Sequence, residues 1–129
     1  MMKFDHLNLP VGNLERSRDW YVGTLGLAVE FEVPERRTVA LNDGEGFAIF
    51  LQESSAPRPD GCALWFQVDD VDAISEQWAA RGVAFVHGPQ KTFWGYGSEL
   101  ADPDGYLVRL WDARTMKEKA ADGCAGRVP

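Results

Sequence analysis

The chain says nearly the same thing twice, and this repeat limits its fold more than any other feature. "LNLPVGNLERSRDWYVGTLGLAVEFEV" runs from Leu7 to Val33, and "LWFQVDDVDAISEQWAARGVAFVH" from Leu64 to His87. Each opens on an alternating strand and turns through Gly12-Asn13 or Asp69-Asp70 into a helix carrying an aromatic residue, Tyr21 or Trp78. Each closes at a glycine, Gly26 or Gly82, and enters a new apolar strand. Setting Val11 on Val68 puts Leu14 on Val71, Tyr21 on Trp78 and His6 on Ala63.

The later parts match in kind. "RTVALNDGEGFAIFLQES" reads as two strands joined at Asn42-Asp43-Gly44, and "YGSELADPDGYLVRLWD" as two strands joined at Asp102-Pro103-Asp104-Gly105. Proline early in a turn and glycine at its end are hairpin chemistry. Each half therefore reads strand, helix, strand, strand, strand. The expected layout is one domain over residues 1–113, with module one at 2–53, module two at 61–113 and the connector "SSAPRPDG" between them. Residues 114–129 are expected to form a loose or partly helical tail. Asn13 and Asp70 suit helix N-caps, and Gly26 and Gly82 suit C-caps. Leu14, Ser17, Arg18, Tyr21 and Leu25 mark one helix at the 3.6-residue period, and Val71, Ile74, Trp78 and Val83 outline the other.

Side chains alternate across a strand, so each strand divides into two faces. Leu7, Leu9 and Val11 share one face. So do Phe47, Ile49 and Leu51; Cys62, Leu64, Phe66 and Val68; and Tyr106, Val108 and Leu110. That uniformly apolar face should lie under the helices. The opposite face mixes aromatic and hydrogen-bonding residues: His6, Asn8, Phe50, Gln52, Trp65, Gln67, Arg109 and Trp111. A face of that composition suits a ligand cavity better than bulk water.

Bulk properties remove several function classes. The net charge of −7 argues against a nucleic-acid partner. Two cysteines, Cys62 and Cys124, form no paired framework and read as free thiols in a reducing cytoplasm. "MMKFDHLNL" resembles neither a signal peptide nor a membrane span. The "GEG" and "GYG" stretches lack the strand-to-helix context of a phosphate loop. Nothing links Ser98, His87 or Cys62 as a nucleophile and its base.

"DHLNLPVGNLERSRDWYVGTLGL", "FQVDDVDAISEQWAARGV" and "DPDGYLVRLWD", in this order and spacing, resemble the vicinal oxygen chelate superfamily, the glyoxalase/bleomycin-resistance/dioxygenase group. The resemblance covers about residues 2 to 113. It implies an α+β fold in which two tandem βαβββ modules form a curved, half-open mixed sheet around a cleft, with the helices outside. It also implies a homodimer. Metalloenzymes of the group hold a divalent ion through His, Glu or Gln on the first and last strand of each module. Here those places fall on His6, Phe50, Ala63 and Arg109. Three of the four lack a donor, and an arginine cannot deprotonate to become one. Gln52, if shifted into the Phe50 place, adds one poor ligand.

The expected function is therefore metal-free, cofactor-free binding of a small organic ligand, as in the bleomycin-resistance-like branch. His6, Asn8, Phe50, Gln52, Trp65, Gln67, Trp94, Glu99, Arg109 and Trp111 are the candidate ligand contacts. Trp94 and Glu99 come from "FWGYGSE", which is similar to a Trp-Gly segment of those relatives. Arg109 reads either as an ion pair with Glu99, Glu30 or Glu32, or as a clamp for an anionic ligand group. The rival function is a lyase or isomerase using His6 as base and Arg109 as oxyanion clamp.

Overall fold

The computed structural model describes residues 1–120. Its local structure starts from two caps. Asn13 is extended (φ −145°, ψ 109°), and its side chain accepts the Arg16 N–H, opening helix α1 (Leu14–Gly23). Asp70 does the same for α2 (Val71–Ala80), accepting the Ala73 N–H at 3.0 Å. Each cap satisfies an N–H that the first helical turn leaves without a partner. At the far end of α2, Gly82 lies in the left-handed region (φ 90°). The Gly82 and Val83 N–H groups then bond back to Ala79 and Trp78, the Schellman pattern that ends a helix at glycine.

The strands follow in the expected order. The first module contains β1 (Leu7–Val11), β2 (Ala28–Val33), β3 (Thr38–Asn42) and β4 (Ala48–Glu53). The second contains β5 (Ala63–Gln67), β6 (His87–Thr92), β7 (Gly95–Ala101) and β8 (Leu107–Trp111). The two four-stranded sheets share one topology, β1-β4-β3-β2 and β5-β8-β7-β6. In each, first and last strands pair in parallel and the other pairs are antiparallel. Neither sheet closes on itself.

The chain divides into two compact units. Among the described residues, one comprises Met1–Asp60 with Asp102–Asp104; the other comprises Gly61–Ala101 and residues 105–120. In the first unit, Val11, Tyr21, Val39, Leu41 and Leu51 are fully buried. The Tyr21 hydroxyl donates to Asp102 at 2.6 Å, and Asp104 accepts from the Gly12 N–H, Arg16 and the Ser17 hydroxyl. In the second unit, Val71, Leu100, Tyr106, Val108 and Leu110 are buried. The apolar face of each sheet thus lies in the core, as the alternation predicts.

The tail starts as a helix, one of the two forms expected for it: Ala113–Lys119 form α3, capped by Asp112. Thr115 and Met116 are buried, so tertiary packing holds a helix too short to persist alone. Cys124 and the remainder of the tail lie outside the described residues. Two expectations are corrected. The apolar run after Gly82 is not strand, because Val83 is still closing α2 and β6 begins only at His87. Phe47 is not beneath a helix. It precedes β4, is 37% exposed and stacks on Phe4 at 5.7 Å. No helix among the described residues is long and apolar enough to cross a membrane.

Each module is fastened where its last strand ends. Glu53 at the end of β4 accepts the Leu14 N–H at 3.0 Å. Asp112, just past β8, accepts the Val71 N–H at 2.6 Å and also the Thr115 N–H and hydroxyl. Burial acts to raise the Asp112 carboxyl, but these three donors outweigh it and hold it below its usual value. Asp112→Ala removes a partner from two helix starts. It should lower stability by about 2 kcal/mol, measured by urea unfolding.

Glu53 is held by Arg37, which also binds Glu15 through two bonds of 2.7 Å. Arg37 sits in the left-handed region (φ 46°), which disfavours an ordinary side chain. Hydrogen bonding to Arg37 lowers the Glu15 carboxyl from 4.5 to about 2. A lowered carboxyl stabilises the fold above its unfolded value and stops doing so as pH falls through its folded value. The melting-temperature advantage of the native chain over Arg37→Asn should therefore be full above pH 4.5 and shrink to nothing towards about pH 2. Asparagine tolerates the left-handed backbone, so this comparison isolates the ion pairs.

Candidate functional site

The parallel pairing of first and last strands sets which side chains stand together. Asn8 pairs with Phe50 in the first unit, and Trp65 pairs with Arg109 in the second. Leu9 pairs with Leu51 in the one, and Phe66 with Leu110 in the other, so the two registers are equivalent. Phe50 and Arg109 therefore occupy the same place in their respective modules, and Asn8 and Trp65 likewise.

In the second unit that place is densely built. Glu99 on β7 lies directly opposite Arg109 on β8. Arg109 Nε donates to Glu99 Oε2 at 2.8 Å, with side-chain exposures of 14% and 11%. Of the three glutamates considered for Arg109, Glu99 is the partner; Glu32 faces Arg18 instead. The Arg109 Cζ lies 5.6 Å from the Trp65 ring centroid, 5.5 Å from that of Phe93 and 5.4 Å from that of Trp94. Ring quadrupoles stabilise a cation at such distances. Trp65 and Trp94 meet edge to face at 5.1 Å, and the His87 ring lies 6.3 Å from Trp94. Among the described residues, Glu99 is the only hydrogen-bond acceptor for this guanidinium, through Nε. No buried side-chain nitrogen among them lacks a partner, so Nη1 and Nη2 reach the surface.

Two residues that alternation alone does not select complete this site. Phe93 and Trp94 form the two-residue tip of the β6–β7 hairpin, where glycine, asparagine or aspartate is usual. Phe93 is 83% exposed. Gly97 makes room for the tip: a Cβ there would stand 2.8 Å from the Trp94 ring and would press on the Leu110 carbonyl. The only sequence signal for Phe93 is its place beside Trp94 in "FWGYGSE". Gln67 is exposed and pairs with Trp111, which is buried at 6% and lies within the core rather than on an open wall.

The first unit presents a different face. The His6 and Phe50 rings stack at 3.6 Å with an interplanar angle of 14°, and Phe31 of β2 meets Phe50 edge-on at 5.5 Å. Asn8 donates to Gln52 at 3.2 Å. Here too an aromatic residue that was not anticipated, Phe31, joins the candidates.

These donors do not fit a divalent metal. His6 Nδ1 is 2.8 Å from Asp5, Phe50 and Ala63 carry no donor, and Arg109 is a cation already paired with Glu99. Among the described residues, no three His, Cys, Asp or Glu side chains cluster as an ion requires.

Residues 3–110 match the Glyoxalase/Bleomycin resistance protein/Dioxygenase superfamily. The chain belongs to this superfamily. TnmS3, an antibiotic binding protein from Streptomyces sp. CB03234, has a similar structure: TM-score 0.72, 27% identity, covering 87% of this chain and 96% of that one. The bleomycin-binding protein of bleomycin-producing Streptomyces verticillus, solved with copper(II)-bleomycin, shares the fold at TM-score 0.67 and 21% identity, covering 88% and 98%. A possible glyoxalase from Bacillus cereus does so at 0.68 and 20%, covering 85% and 98%. No curated protein matches the sequence significantly. The superfamily thus brings binding proteins and glyoxalase-like proteins together on one scaffold.

The Arg109–Glu99 pair makes a stability prediction. Removing one partner strands the other in a nearly buried place, at a cost of about 3 kcal/mol, whereas replacing both with apolar residues costs much less. In urea unfolding, Arg109→Met and Glu99→Leu should each destabilise strongly. The double variant should lie closer to the native chain than either single one.

Proposed function

We propose that this superfamily member binds a small organic molecule without a resident metal, as a drug-sequestering, bleomycin-resistance-like protein. Arg109 carries the reading. It puts a permanent cation, tied to Glu99 and ringed by Trp65, Trp94 and Phe93, where a metalloenzyme of this group keeps a carboxylate. Aromatic faces supply broad apolar contact, and the free guanidinium edge supplies orientation. His6, Asn8, Phe50 and Gln52 are proposed as ligand contacts of the first unit; Trp65, Gln67, Trp94, Glu99 and Arg109 are those of the second. The likeness to an antibiotic binding protein supports the same class of ligand.

The rival lyase or isomerase reading draws on one observation. Asp5 lies 2.8 Å from His6 Nδ1 and could hold the imidazole in one tautomer, as a general base needs. The Asp5 side chain is 83% exposed, however, so water competes for that contact and the orientation is weak.

Calorimetric and tryptophan-fluorescence titrations with bleomycin and a panel of planar antibiotics test the proposal. Saturable one-to-one binding is expected with at least one of them, weakened about tenfold or more by Trp65→Ala or Trp94→Ala. Turnover of a glyoxalase or dioxygenase substrate that disappears in His6→Ala would instead establish the enzyme. Sedimentation of the same samples checks the homodimer that belongs to this reading.

A further inference from the structure

We propose that the second unit's site selects an aryl carboxylate, the carboxylate meeting the Nη edge of Arg109 and the ring lying among Trp65, Trp94 and Phe93. This rests on reading the site as one for small molecules.

The guanidinium is planar, with five N–H donors and no acceptor. Glu99 takes the Nε hydrogen through Oε2 at 2.8 Å. Three rings stand 5.4 to 5.6 Å from Cζ and crowd the cation. What remains is the Nη1/Nη2 edge, whose four hydrogens have no protein acceptor among the described residues and are not sealed from solvent. A group arriving along that edge must be flat and must offer two acceptors side by side. A carboxylate matches this fork in both shape and charge. A carbonyl or primary amide brings one acceptor and no charge. A dianionic phosphate is tetrahedral and would meet the Glu99 charge and a chain of net charge −7. A monoanionic carboxylate on the Nη edge sits closer to the cation than to Glu99, so attraction outweighs repulsion.

The rest of the ligand follows from the walls. A carboxylate conjugated to a ring keeps that ring close to the plane of the guanidinium. Trp65 is 41% exposed and Phe93 83% exposed, so both rings extend beyond the arginine and offer faces to whatever the carboxylate carries. Arg109 fixes the anionic end, and Phe93 at the hairpin tip senses the size of the aromatic end.

Isothermal titration of the full chain with 2-naphthoate and 2-naphthamide tests this. The acid should bind at least about tenfold more tightly than the amide. Arg109→Lys, which keeps the charge but loses the fork, should abolish most of that preference, with circular dichroism and urea unfolding showing that the variant remains folded. Phe93→Ala should weaken acid and amide alike by several-fold. Equal binding of acid and amide, both weakened by Trp65→Ala, overturns the carboxylate inference and leaves the binding function intact. Silence from both naphthyl probes beside a positive antibiotic titration overturns the inference alone. Silence in both titrations overturns the inference and the function on which it rests.

Discussion

A carboxylate at the end of each module's last strand, bonded to the first N–H of that module's helix, holds this fold in register. Glu53 does it for Leu14 and Asp112 for Val71. The bond ties together two ends that the chain sequence keeps far apart, and it is made where the last strand lies parallel beside the first. From that parallel pairing follow the partners Asn8 with Phe50 and Trp65 with Arg109. The helix N-terminus supplies the electrostatics: its N–H groups have no partner within the helix and welcome a negative charge. The candidate site is thus a consequence of how each module is closed.

Within that frame, the two modules have filled one equivalent position with opposite chemistry. The first holds a phenyl ring stacked on an imidazole, and the second a guanidinium among three aromatic rings. A divalent ion asks for lone-pair donors such as imidazole or carboxylate. Phenylalanine has none, and an arginine guanidinium cannot deprotonate to become one. Glu99 keeps the cation tolerable in a nearly dry setting and leaves its outer edge available.

Much of this was legible in the sequence. The repeat gave the strand order, Asn13 and Asp70 gave the helix starts, and the resemblance to the superfamily put Phe50 and Arg109 at matching places in their modules. Helix α3 was legible only as one of two forms the tail could take. "ARTMKEK" is short and charged, and its burial of Thr115 and Met116 depends on contacts that local pattern does not encode. Trp111 shows the limit of alternation, which says which way a side chain points but not what covers it. Phe93 was missed because a hairpin tip made of two aromatic residues carries none of the usual turn signals.

That tip separates two kinds of change. Replacing Arg109 strands Glu99, so its identity is bound to folding and any successor must arrive with a compensating partner. Phe93, 83% exposed, contributes little to the core. Descendants of this chain can therefore alter Phe93 without passing through unfolded intermediates. On the proposed function, ligand preference in such a lineage should diverge first by drift at Phe93, with the arginine inherited unchanged.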